Sequence, residues 1–569
     1  MAKLNPTNMV KDPNKKLEEY PHIIPQIEDW PIYLLHDDRK NFVDEIDEFT
    51  VERLNLLYGK KVGEVIAKTI YKELIRIKEE PWKVDPPKEK QYWKKIQSSL
   101  ADSLDSSESK IEGGHQEILK KIVNRYSEEI VGTFRMKTFL FARKFSTLLF
   151  TRLLNTAAAR NIWQIWGNRY RLMDRLMVNG EVEKIRSLAK KGTIVVVPTH
   201  FSNLDSILIG YALDSFAGLP SFSYGAGLNL FNSGAVAYFI NRLGAYRVDR
   251  RKKNAIYLET LKAMSNLSIQ RGTNSLFFPG GTRSRSGALE TRLKLGLLST
   301  VIDAQRSNLQ KGKDEKIFVV PLVLGYHFVL EAKSLIDQHL KKIGKERYIK
   351  SRDEFYSRRK LFFYAWQFFS ESNEINLSFG QPMDVLGNPV DEEGNSYDQY
   401  GNLIQIEDYF KEDGSISTNL QRESEYTQML GEKIVERYYK DNIVLTSHLV
   451  AFAAFQMLCK QNKQLDLYGV LRLPTEDYLF DESQLKKVIG QLKERLFQME
   501  DEEQIRLSDP IRWTEEEILR DGIRRLGSYH VQKPIRYNKN KQIVSNNFKI
   551  LYYYHNRLEN YGLDKVVEL

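Results

Sequence analysis

The sequence predicts an α/β protein: a mixed, largely parallel β-sheet with flanking helices, preceded and followed by helical regions. One observation behind this prediction is the β-branched run at 193–198, which ends in a proline and is typical of a buried strand. Another is a pair of later strand patterns, at 274–278 and 317–323, which alternate with helical patterns at 255–270 and 290–305. Strands that alternate with helices favour parallel pairing within one sheet.

Composition sets the class of protein and of partner. The chain has 569 residues, enough for several domains, and its hydrophobic fraction of 42% suits a globular protein. Lys and Arg outnumber Asp and Glu by 85 to 75, which gives a net charge of +10. This mild excess favours an acidic partner, such as a phosphorylated substrate, an anionic lipid or an acidic carrier protein. No basic-aromatic array is present, so we expect no nucleic-acid partner.

Cysteine usage and the N-terminal residues bear on the compartment. Cys459 is the only cysteine, so neither an internal disulfide nor a cysteine-based zinc site is expected, and a reducing compartment is favoured. Residues 1–18 are polar and lack the apolar core of a secretory signal, so none is expected here.

The chain before the first strand is expected to form an N-terminal arm at 1–40 and a helical region at 41–175. Apolar residues recur at helical spacing from Asn41 to about Glu79. A Ser-, Asp- and Glu-rich stretch at 98–114 has the composition of a flexible linker.

A basic amphipathic segment closes this helical region. No acidic residue occurs between Val131 and Met173. The aromatic and apolar residues predicted to share one helical face are Phe134, Phe141, Phe145 and Leu148, with Trp163 and Trp166 further on. The basic residues around them include Arg135, Lys137, Arg143, Lys144, Arg152 and Arg160. Such a helix either lies in the interface of an anionic membrane or packs on its own domain with solvated arginines, and the sequence leaves both open.

The α/β domain is expected at 176–440. Residues 375–415 have the pattern of a strand followed by a loop, and the glycines among Asp, Glu and Asn indicate an acidic hairpin insertion at about these bounds. The remainder, 441–569, is expected to be helical. Within it the run 442–459 is long enough barely to span a bilayer, but its polar residues favour a buried core helix. No internal repeat is apparent from the sequence.

The turn after the first strand carries the first candidate catalytic pair, His200 and Asp205. Residues 202–213 have the pattern of an amphipathic helix with Asp205 near its start. If His200 lies on the turn and Asp205 in the first helical turn, the carboxylate accepts a hydrogen bond from one imidazole nitrogen and fixes the tautomer. The other nitrogen is then free to take a proton from an alcohol. The alternative is that Ser202-x-x-Asp205 is only a capping box.

Two later stretches predict a cationic pocket beside this histidine. Arg247 and Arg250 belong to a short strand pattern at 244–250. A glycine turn and a basic loop follow the strand pattern at 274–278; their candidate substrate-binding residues are Gly281, Thr282, Arg283, Ser284 and Arg285, with Lys294 on the next helix. Glycines let backbone N–H groups approach an anion, and guanidinium groups bind phosphate oxygens in pairs.

In their order, these stretches resemble the four sequence blocks of the glycerolipid acyltransferases. His200-x4-Asp205 is similar to the first block, 244–250 to the second and 278–285 to the third. Val319-Val320-Pro321-Leu322-Val323 is similar to the fourth, an apolar strand with a proline. The resemblance is closest to the glycerol-3-phosphate branch, on further matches at 226–231, at Gly325-Tyr326-His327 with Glu331, and at His555-Asn556-Arg557-Leu558.

The third and second blocks each depart from the family pattern. Gly280 stands where the family usually has a glutamate that is thought to help hold the acceptor or the arginines of the site. Arg247 stands where an aromatic or aliphatic residue is common, and Asp249 where a basic one is frequent, whereas Arg250 matches the family arginine.

The resemblance implies the glycerolipid acyltransferase fold and an enzyme that moves a fatty acyl group from acyl-CoA or acyl carrier protein to the sn-1 hydroxyl of glycerol 3-phosphate. It implies His200 and Asp205 as catalytic residues, with the cationic residues above and Pro321 binding substrate. A backbone N–H or a side chain near Ser202 is expected to stabilise the oxyanion. No metal or other cofactor is expected, and the expected location is the cytoplasmic side of the cell membrane, peripheral or embedded in its interface. The alternatives are acylation of 1-acylglycerol 3-phosphate, of dihydroxyacetone phosphate, or a non-catalytic lipid- or phosphate-binding protein.

Overall fold

The structure is a computed structural model, and it describes residues 20–104, 108–145, 176–228, 231, 234–344, 374–475, 478–528 and 530–569. Several residues singled out in the sequence lie outside these ranges. They include residues 1–19 of the arm at 1–40, and residues 229–230 of the 226–231 match. They also include the later part of the basic segment, with Leu148, Arg152, Arg160, Trp163 and Trp166.

The helices are α1 (Pro31–Asp37), α2 (Arg39–Tyr58), α3 (Val62–Glu79), α4 (Glu89–Leu104), α5 (Glu108–Ile130), α6 (136–145), α7 (Val182–Leu188), α8 (Asp205–Tyr211), α9 (Gly234–Ile240), α10 (Ala255–Gln270), α11 (Leu295–Gln310), α12 (Ala332–Lys342), α13 (Leu420–Lys440), α14 (Thr446–Gln461), α15 (Leu467–Leu471), α16 (Glu482–Asp501), α17 (Glu515–Arg525) and α18 (Phe548–His555). A π-helical turn, Ala212–Phe216, continues α8.

The strands are β1 (Leu176–Gly180), β2 (Gly192–Pro198), β3 (Ser223–Gly227), β4 (Ala245–Val248), β5 (Ser275–Leu276), β6 (Lys316–Tyr326), β7 (Ile375–Phe379), β8 (Ser396–Tyr397), β9 (Leu403–Ile404), β10 (Lys411–Glu412), β11 (Ser415–Ile416), β12 (Ile443–Val444), β13 (Leu479–Phe480), β14 (Arg506–Leu507), β15 (Arg536–Tyr537) and β16 (Ile543–Val544).

Within the described residues the central sheet has seven strands in the order β1-β7-β6-β2-β5-β3-β4. All neighbouring strands are parallel except β6 and β7, which are antiparallel. The prediction of a mixed, largely parallel sheet with flanking helices is therefore confirmed. Because β2, β5 and β6 are neighbours and run in one direction, their carboxyl ends meet at one edge of the sheet, where α/β proteins place their ligand sites.

Two strands of the central sheet, β1 and β3, were not predicted from the sequence, and two expectations were wrong. The linker expected at 98–114 is helical over its described part, since α4 runs to Leu104 and α5 starts at Glu108. Phe134 does not share a helical face with Phe141: it lies before α6 in an isolated β-bridge and is buried. The strand expected at the start of 375–415 is found as β7, which pairs with β6 in the central sheet, and the insertion follows it.

The rest of that insertion contains a repeat that the sequence analysis missed. The segment D-x-x-G-N occurs three times at seven-residue spacing, starting at Asp384, Asp391 and Asp398. In each copy the aspartate Oδ1 accepts a hydrogen bond from the backbone N–H of the asparagine four residues later, at 2.8–2.9 Å. The glycine of each copy has a positive φ, between 82° and 90°, which closes the turn. These turns cover the start of β6, at the opposite end of that strand from the candidate site.

Two large hydrophobic cores flank α10. One surrounds the central sheet and continues into the C-terminal helices. The other lies among the N-terminal helices α1–α5 and includes Tyr246, Ile256 and Tyr257 of the α/β domain. The apolar run at 442–459 forms β12 and most of α14, which is buried against α17 and α18, as the core-helix interpretation predicts. No helix among the described residues combines the length and apolar character needed to cross a bilayer.

Candidate active site

The His200–Asp205 pair lies on the turn at the carboxyl end of β2. Pro198 is the last strand residue, and α8 begins at Asp205 itself, with Leu204 as its N-cap. Ser202-x-x-Asp205 is therefore not a capping box. The His200 Nδ1 lies 2.8 Å from Asp205 Oδ2, as the interpretation of a turn-borne histidine and a helix-start acid requires.

Asp205 is fully buried, and each of its oxygens is bonded. Oδ2 accepts hydrogen bonds from the backbone N–H groups of Phe201 at 2.7 Å and Ser202 at 3.0 Å. Oδ1 accepts one from the Tyr326 hydroxyl at 2.6 Å. Burial, followed by the charge of Asp205, raises the pKa of Tyr326, so this hydroxyl remains a donor. Four donors, counting His200, thus fix the carboxylate in place.

The His200 ring is oriented for proton transfer. A carboxylate is only an acceptor, so Nδ1 carries the proton and the neutral ring has its lone pair on Nε2. The ring stacks on Phe278, with centroids 4.0 Å apart and an interplanar angle of 24°. The backbone carbonyl of His200 also accepts a hydrogen bond from the Ser284 N–H at 2.7 Å. The third block thereby fixes both the ring and the backbone of the histidine.

Glu331 joins the first block to the third. Its Oε2 accepts a hydrogen bond from the Ser202 hydroxyl at 3.0 Å, and its Oε1 accepts one from the Asn203 N–H at 3.1 Å. Oε1 also lies 3.1 Å from Nη1 of Arg283. In the sequence, Glu331 was noted only as one of the matches to the glycerol-3-phosphate branch. Its position shortly after the fourth block was the signal that could have identified it as a site residue.

The hydrogen-bond donors of the turn already have acceptors within the protein. The backbone N–H groups of residues 200–203 donate to the carboxyl groups of Glu290, Asp205 and Glu331, and the Leu204 N–H donates to the Ser202 hydroxyl. The Ser202 hydroxyl in turn donates to Glu331. That a backbone N–H or a side chain near Ser202 stabilises the oxyanion stays a prediction, and it requires one of these donors to change its partner.

The predicted cationic cluster forms at the same edge of the sheet. Partial burial, followed by the charges of Arg283 and Arg285, lowers the pKa of Arg250, so these three guanidinium groups lie close enough to repel one another. Arg250 and Lys294 are exposed, and Arg283 and Arg285 are partly so. Cations that repel one another and face solvent favour an anionic ligand.

The absence of a side chain at Gly281 lets the Lys294 side chain lie directly against the glycine turn. Gly281 has a φ of +76°, and a Cβ there would lie 2.8 Å from the Lys294 Nζ. The Lys294 N–H donates to the Pro279 carbonyl at 2.8 Å, which draws the start of α11 onto the turn. Glycine at 281 therefore serves both the left-handed backbone and the approach of an ammonium group.

The loop that carries Arg250 is anchored to the N-terminal helices. Asp249 accepts hydrogen bonds from Nε of Arg251 at 3.0 Å and Nη2 at 2.7 Å. The Nη1 of Arg251 donates in turn to the Glu80 carbonyl at 2.8 Å, and its Nη2 donates to Asp85 at 2.5 Å. The departure at Asp249 thus has a structural reason: this acid fixes the arginine next to Arg250.

The remaining candidate residues occupy supporting positions. Arg247 lies on β4 with its guanidinium over the Phe231 ring, 4.8 Å from the centroid. The Ser284 hydroxyl donates to the Ala288 carbonyl at 2.7 Å, and Thr282 is partly exposed beside it. Pro321 is buried within β6, opposite Val197. Substrate binding by these residues stays a prediction.

The C-terminal segment reaches beneath the site. Arg557 lies over the Phe201 ring at 4.4 Å, and its Nη2 donates to the Leu324 carbonyl at 2.5 Å. Burial lowers its pKa to about 10. Phe201, Tyr326, Tyr553 and Arg557 line a small cavity directly below the turn. The residues that carry the resemblance at 555–558 therefore include one, Arg557, that packs against the first block and supports it.

Glu290 is the carboxyl that the sequence analysis missed. Its Oε1 accepts a hydrogen bond from the His200 N–H at 3.4 Å, whereas its buried Oε2 has no hydrogen-bond partner among the described residues. Burial raises the pKa of Glu290 to about 7. In the sequence it was merely the first residue of a helical pattern, but the helix begins five residues later, at Leu295.

No cluster of three or more His, Cys, Asp or Glu side chains in the described part of the chain is arranged to bind a metal ion.

Comparison with known proteins gives the class of the α/β domain. Residues 179–325 match the family model described as Acyltransferase. The matched region spans the His200–Asp205 turn, the cationic cluster and most of β6. This part of the chain is similar to an acyltransferase domain, which confirms the resemblance to the acyltransferases.

The curated relatives that match the chain include glycerol-3-phosphate acyltransferases. The chain is 28% identical over 242 residues to the glycerol-3-phosphate acyltransferase of Aeromonas hydrophila, which covers 42% of this chain and 26% of that protein. It is 35% identical over 165 residues to the glycerol-3-phosphate acyltransferase of Actinobacillus succinogenes, covering 28% and 19%. The chain thus spans about a quarter or less of the length of these relatives.

Among solved structures, the 1-acyl-sn-glycerophosphate acyltransferase from Thermotoga maritima matches 52% of this chain and 96% of its own, at 16% identity and a TM-score of 0.24. A likeness at that score carries no argument about this chain.

Proposed function

We propose that this protein transfers a fatty acyl group from an acyl thioester to the sn-1 hydroxyl of glycerol 3-phosphate. The observation that carries the proposal is that the His200–Asp205 pair and the cluster of Arg250, Arg283 and Arg285 lie together at the carboxyl end of the parallel strands. A base next to an anion site suits an acceptor with a hydroxyl at one end and a phosphate at the other. The names of the curated relatives support this acceptor.

The reaction proceeds by direct transfer. Nε2 of His200 removes the hydroxyl proton as the oxygen attacks the thioester carbonyl, and the carbon–sulfur bond breaks as the tetrahedral intermediate collapses. The imidazolium then returns the proton to the leaving thiolate, so no cofactor beyond the thioester is consumed. Asp205 stabilises the imidazolium and keeps Nδ1–H directed at itself. The arginines fix the phosphate, so the hydroxyl reaches the base in a restricted geometry.

The acceptor is tested by a panel. Purified protein is incubated with radiolabelled acyl-CoA or acyl carrier protein and with glycerol 3-phosphate, 1-acylglycerol 3-phosphate or dihydroxyacetone phosphate. We expect the labelled product 1-acylglycerol 3-phosphate, formed from glycerol 3-phosphate. Label that appears only in phosphatidate would mean that the acceptor is 1-acylglycerol 3-phosphate. The two donors, run in parallel, identify the thiol carrier.

A second proposal concerns an exposed aromatic surface that suits contact with a membrane. Phe141, Phe145, Tyr238 and Phe239, here called the aromatic patch, join α6 to α9 at the surface. Phe141 stacks on Phe145 and on Phe239, with centroids 6.2 and 5.7 Å apart. Phe141, Phe145 and Tyr238 are between 50% and 56% exposed. Aromatic side chains of this kind partition into the headgroup region of a bilayer.

The charges around the patch favour an anionic membrane as its partner. Arg135, Lys137 and Lys144 are exposed on or beside α6, and Arg242 lies over the Tyr238 ring at 3.9 Å. No acidic residue occurs at 215–248, the stretch that contains α9. Arg143 is not part of this surface, because it pairs with Asp214. We propose that the protein binds at the interface of the cytoplasmic leaflet, whose anionic lipids attract such cations.

A further inference from the structure

The space beside Gly280 is filled by the carboxyl group of Glu290. A Cβ built at Gly280 would lie 2.9 Å from Oε1, 3.1 Å from Cγ and 3.4 Å from Cδ of Glu290. Gly280 has no positive φ, so a larger residue is compatible with its backbone, and the obstacle to one is this neighbouring side chain. The glycine therefore provides room for a carboxyl that comes from ten residues further along the chain.

The course of the loop explains how Glu290 returns to Gly280. The Lys294 N–H donates to the Pro279 carbonyl, so the two ends of 279–294 are in contact. Between them, the Ser284 hydroxyl bonds to the Ala288 carbonyl and accepts from the Gly287 N–H, which closes a second turn. These contacts bring the Glu290 side chain back to the glycine turn, next to His200.

One oxygen of the Glu290 carboxyl has no partner in another residue. Oε1 accepts from the His200 N–H, and the carboxyl also accepts from its own backbone N–H. Oε2 is buried without a hydrogen-bond partner in any other described residue. An acceptor oxygen in this state is costly to maintain, and such atoms in native sites mark a place for a ligand donor. Its neighbours are the catalytic turn on one side and the glycine turn of the cationic cluster on the other.

Resting on the function proposed above, we propose that Glu290 takes the place of the carboxylate absent at position 280 and binds the acceptor. Its unpartnered Oε2 hydrogen-bonds to a hydroxyl group of the polyol, accepting when the carboxyl is ionised and donating when it is protonated, while the arginines bind the phosphate. Glycerol 3-phosphate has two free hydroxyls, so the sn-1 hydroxyl faces His200 and the sn-2 hydroxyl hydrogen-bonds to Glu290. Glu290 is then an acceptor-binding residue of the site.

The test moves the carboxyl from one position to the other. We compare wild type, Glu290→Ala, Glu290→Gln and the double variant Gly280→Glu with Glu290→Ala, in steady-state assays that vary glycerol 3-phosphate and the acyl thioester separately. Glu393→Ala, an exposed glutamate in the acidic turns at the far end of β6, is the matched control. Thermal melting by circular dichroism checks that each variant is folded.

We expect Glu290→Ala to raise the KM for glycerol 3-phosphate about tenfold, the effect of losing one hydrogen bond, with the KM for the thioester within twofold of wild type. The double variant should recover at least half of that loss on a logarithmic scale, which a merely structural role of Glu290 would not produce. Glu290→Gln keeps the shape of the side chain and covers the case in which the alanine variant fails to fold.

The inference is overturned if folded Glu290→Ala and Glu290→Gln keep the wild-type KM for glycerol 3-phosphate. It is also overturned if the loss affects both substrates equally and Gly280→Glu does not recover it. Either result leaves the proposed function intact, because wild type is still active. A wild-type protein that does not acylate glycerol 3-phosphate would instead refute the proposed function.

Discussion

The Tyr326 hydroxyl donates a 2.6 Å hydrogen bond to Oδ1 of Asp205, the oxygen that does not face His200. Tyr326 is the last residue of β6, and Asp205 is the first of α8. This bond ties the helix that carries the acid to the strand beside β2, and it leaves Oδ2 to the imidazole and two backbone donors. The orientation of His200 therefore depends on a residue outside its own motif.

Replacing Tyr326 tests that dependence. Tyr326→Phe removes the hydroxyl and leaves the ring in place, so Asp205 loses one donor and is less firmly positioned. We expect kcat to fall about tenfold, with KM for both substrates unchanged, since the loss of one hydrogen bond to a charged group has this order of magnitude. Tyr554→Phe, which removes a buried hydroxyl that accepts from the Val329 N–H, is the control. An unchanged kcat in Tyr326→Phe would show that the bond does not matter for turnover.

If the cationic cluster binds the phosphate, loss of one of its arginines should change the KM for glycerol 3-phosphate more than kcat. Arg250→Ala should raise the KM for glycerol 3-phosphate about 10- to 100-fold, because one charged partner of the phosphate is lost. Arg250→Lys should fall between this variant and wild type, since an ammonium keeps the charge but not the paired donors. Arg512→Ala, at an exposed arginine far along the chain, is the control. Equal KM values in Arg250→Ala and wild type would remove Arg250 from the phosphate site.

Glu290 gives the folded protein a stability term that depends on pH. Its pKa is raised from 4.5 to about 7 by burial, opposed by Arg557 and assisted by Asp205, while Tyr438 and Tyr439 also face it. Between these values the folded state binds a proton that the unfolded state has released, so stability falls as pH rises. The contribution is fully present below pH 4.5 and is lost as pH passes through about 7.

The measurement is the free energy of unfolding in urea, for wild type and Glu290→Gln, at steps from pH 4.5 to 8. Because glutamine does not titrate, the difference between the two isolates this group. We expect wild type to lose about 1–3 kcal/mol relative to the variant across this range. A difference that stays constant or increases with pH would show that the Glu290 carboxyl is not held in its neutral form.

The aromatic patch predicts weaker membrane binding when its rings are removed. Phe141→Ala combined with Phe145→Ala should lower the partition coefficient onto anionic vesicles, measured by sedimentation, at least about 30-fold. Each lost ring removes roughly 1 to 2 kcal/mol of binding free energy from apolar burial, and 1.4 kcal/mol is about a factor of ten. Tyr400→Ala removes a similarly exposed ring in the acidic turns and serves as the control. Binding of the double variant equal to wild type would exclude the patch as the membrane contact.

Local patterns made the central fold predictable. The run at 193–198 became β2 because β-branched side chains are buried on both faces of a parallel strand. The helix predicted at 255–270 has these bounds in the structure, since Asn254 caps it and the Tyr257 N–H donates to that cap. β3 escaped because its sequence, Ser-Tyr-Gly-Ala-Gly, lacks the alternation and the β-branched residues that signal a strand.

Composition alone predicted the wrong structure for the stretch at 98–114, because tertiary packing decides whether a polar stretch is helical. Residues 98–114 are mostly polar, yet residues 98–104 and 108–114 belong to helices that buried Ile96 and Ile118 anchor on either side. Polar side chains are compatible with the solvent face of a helix as well as with a linker, so composition alone does not separate the two.

For the site, spacing predicted His200 and Asp205, which are five residues apart. Tyr326 and Glu331 lie 121 and 129 residues from their partners Asp205 and Ser202, and no local pattern joins such positions. Glu290 escaped for a related reason: its role depends on a return of the loop that only the folded chain shows.

The most direct measurement is the rate of acyl transfer to glycerol 3-phosphate by wild type and by His200→Ala, at saturating thioester and under identical conditions. Removing a general base costs about 10²- to 10⁴-fold, so the variant should lose at least a hundredfold in kcat while remaining folded and vesicle-bound. A folded His200→Ala protein that turns over within tenfold of wild type would contradict the account.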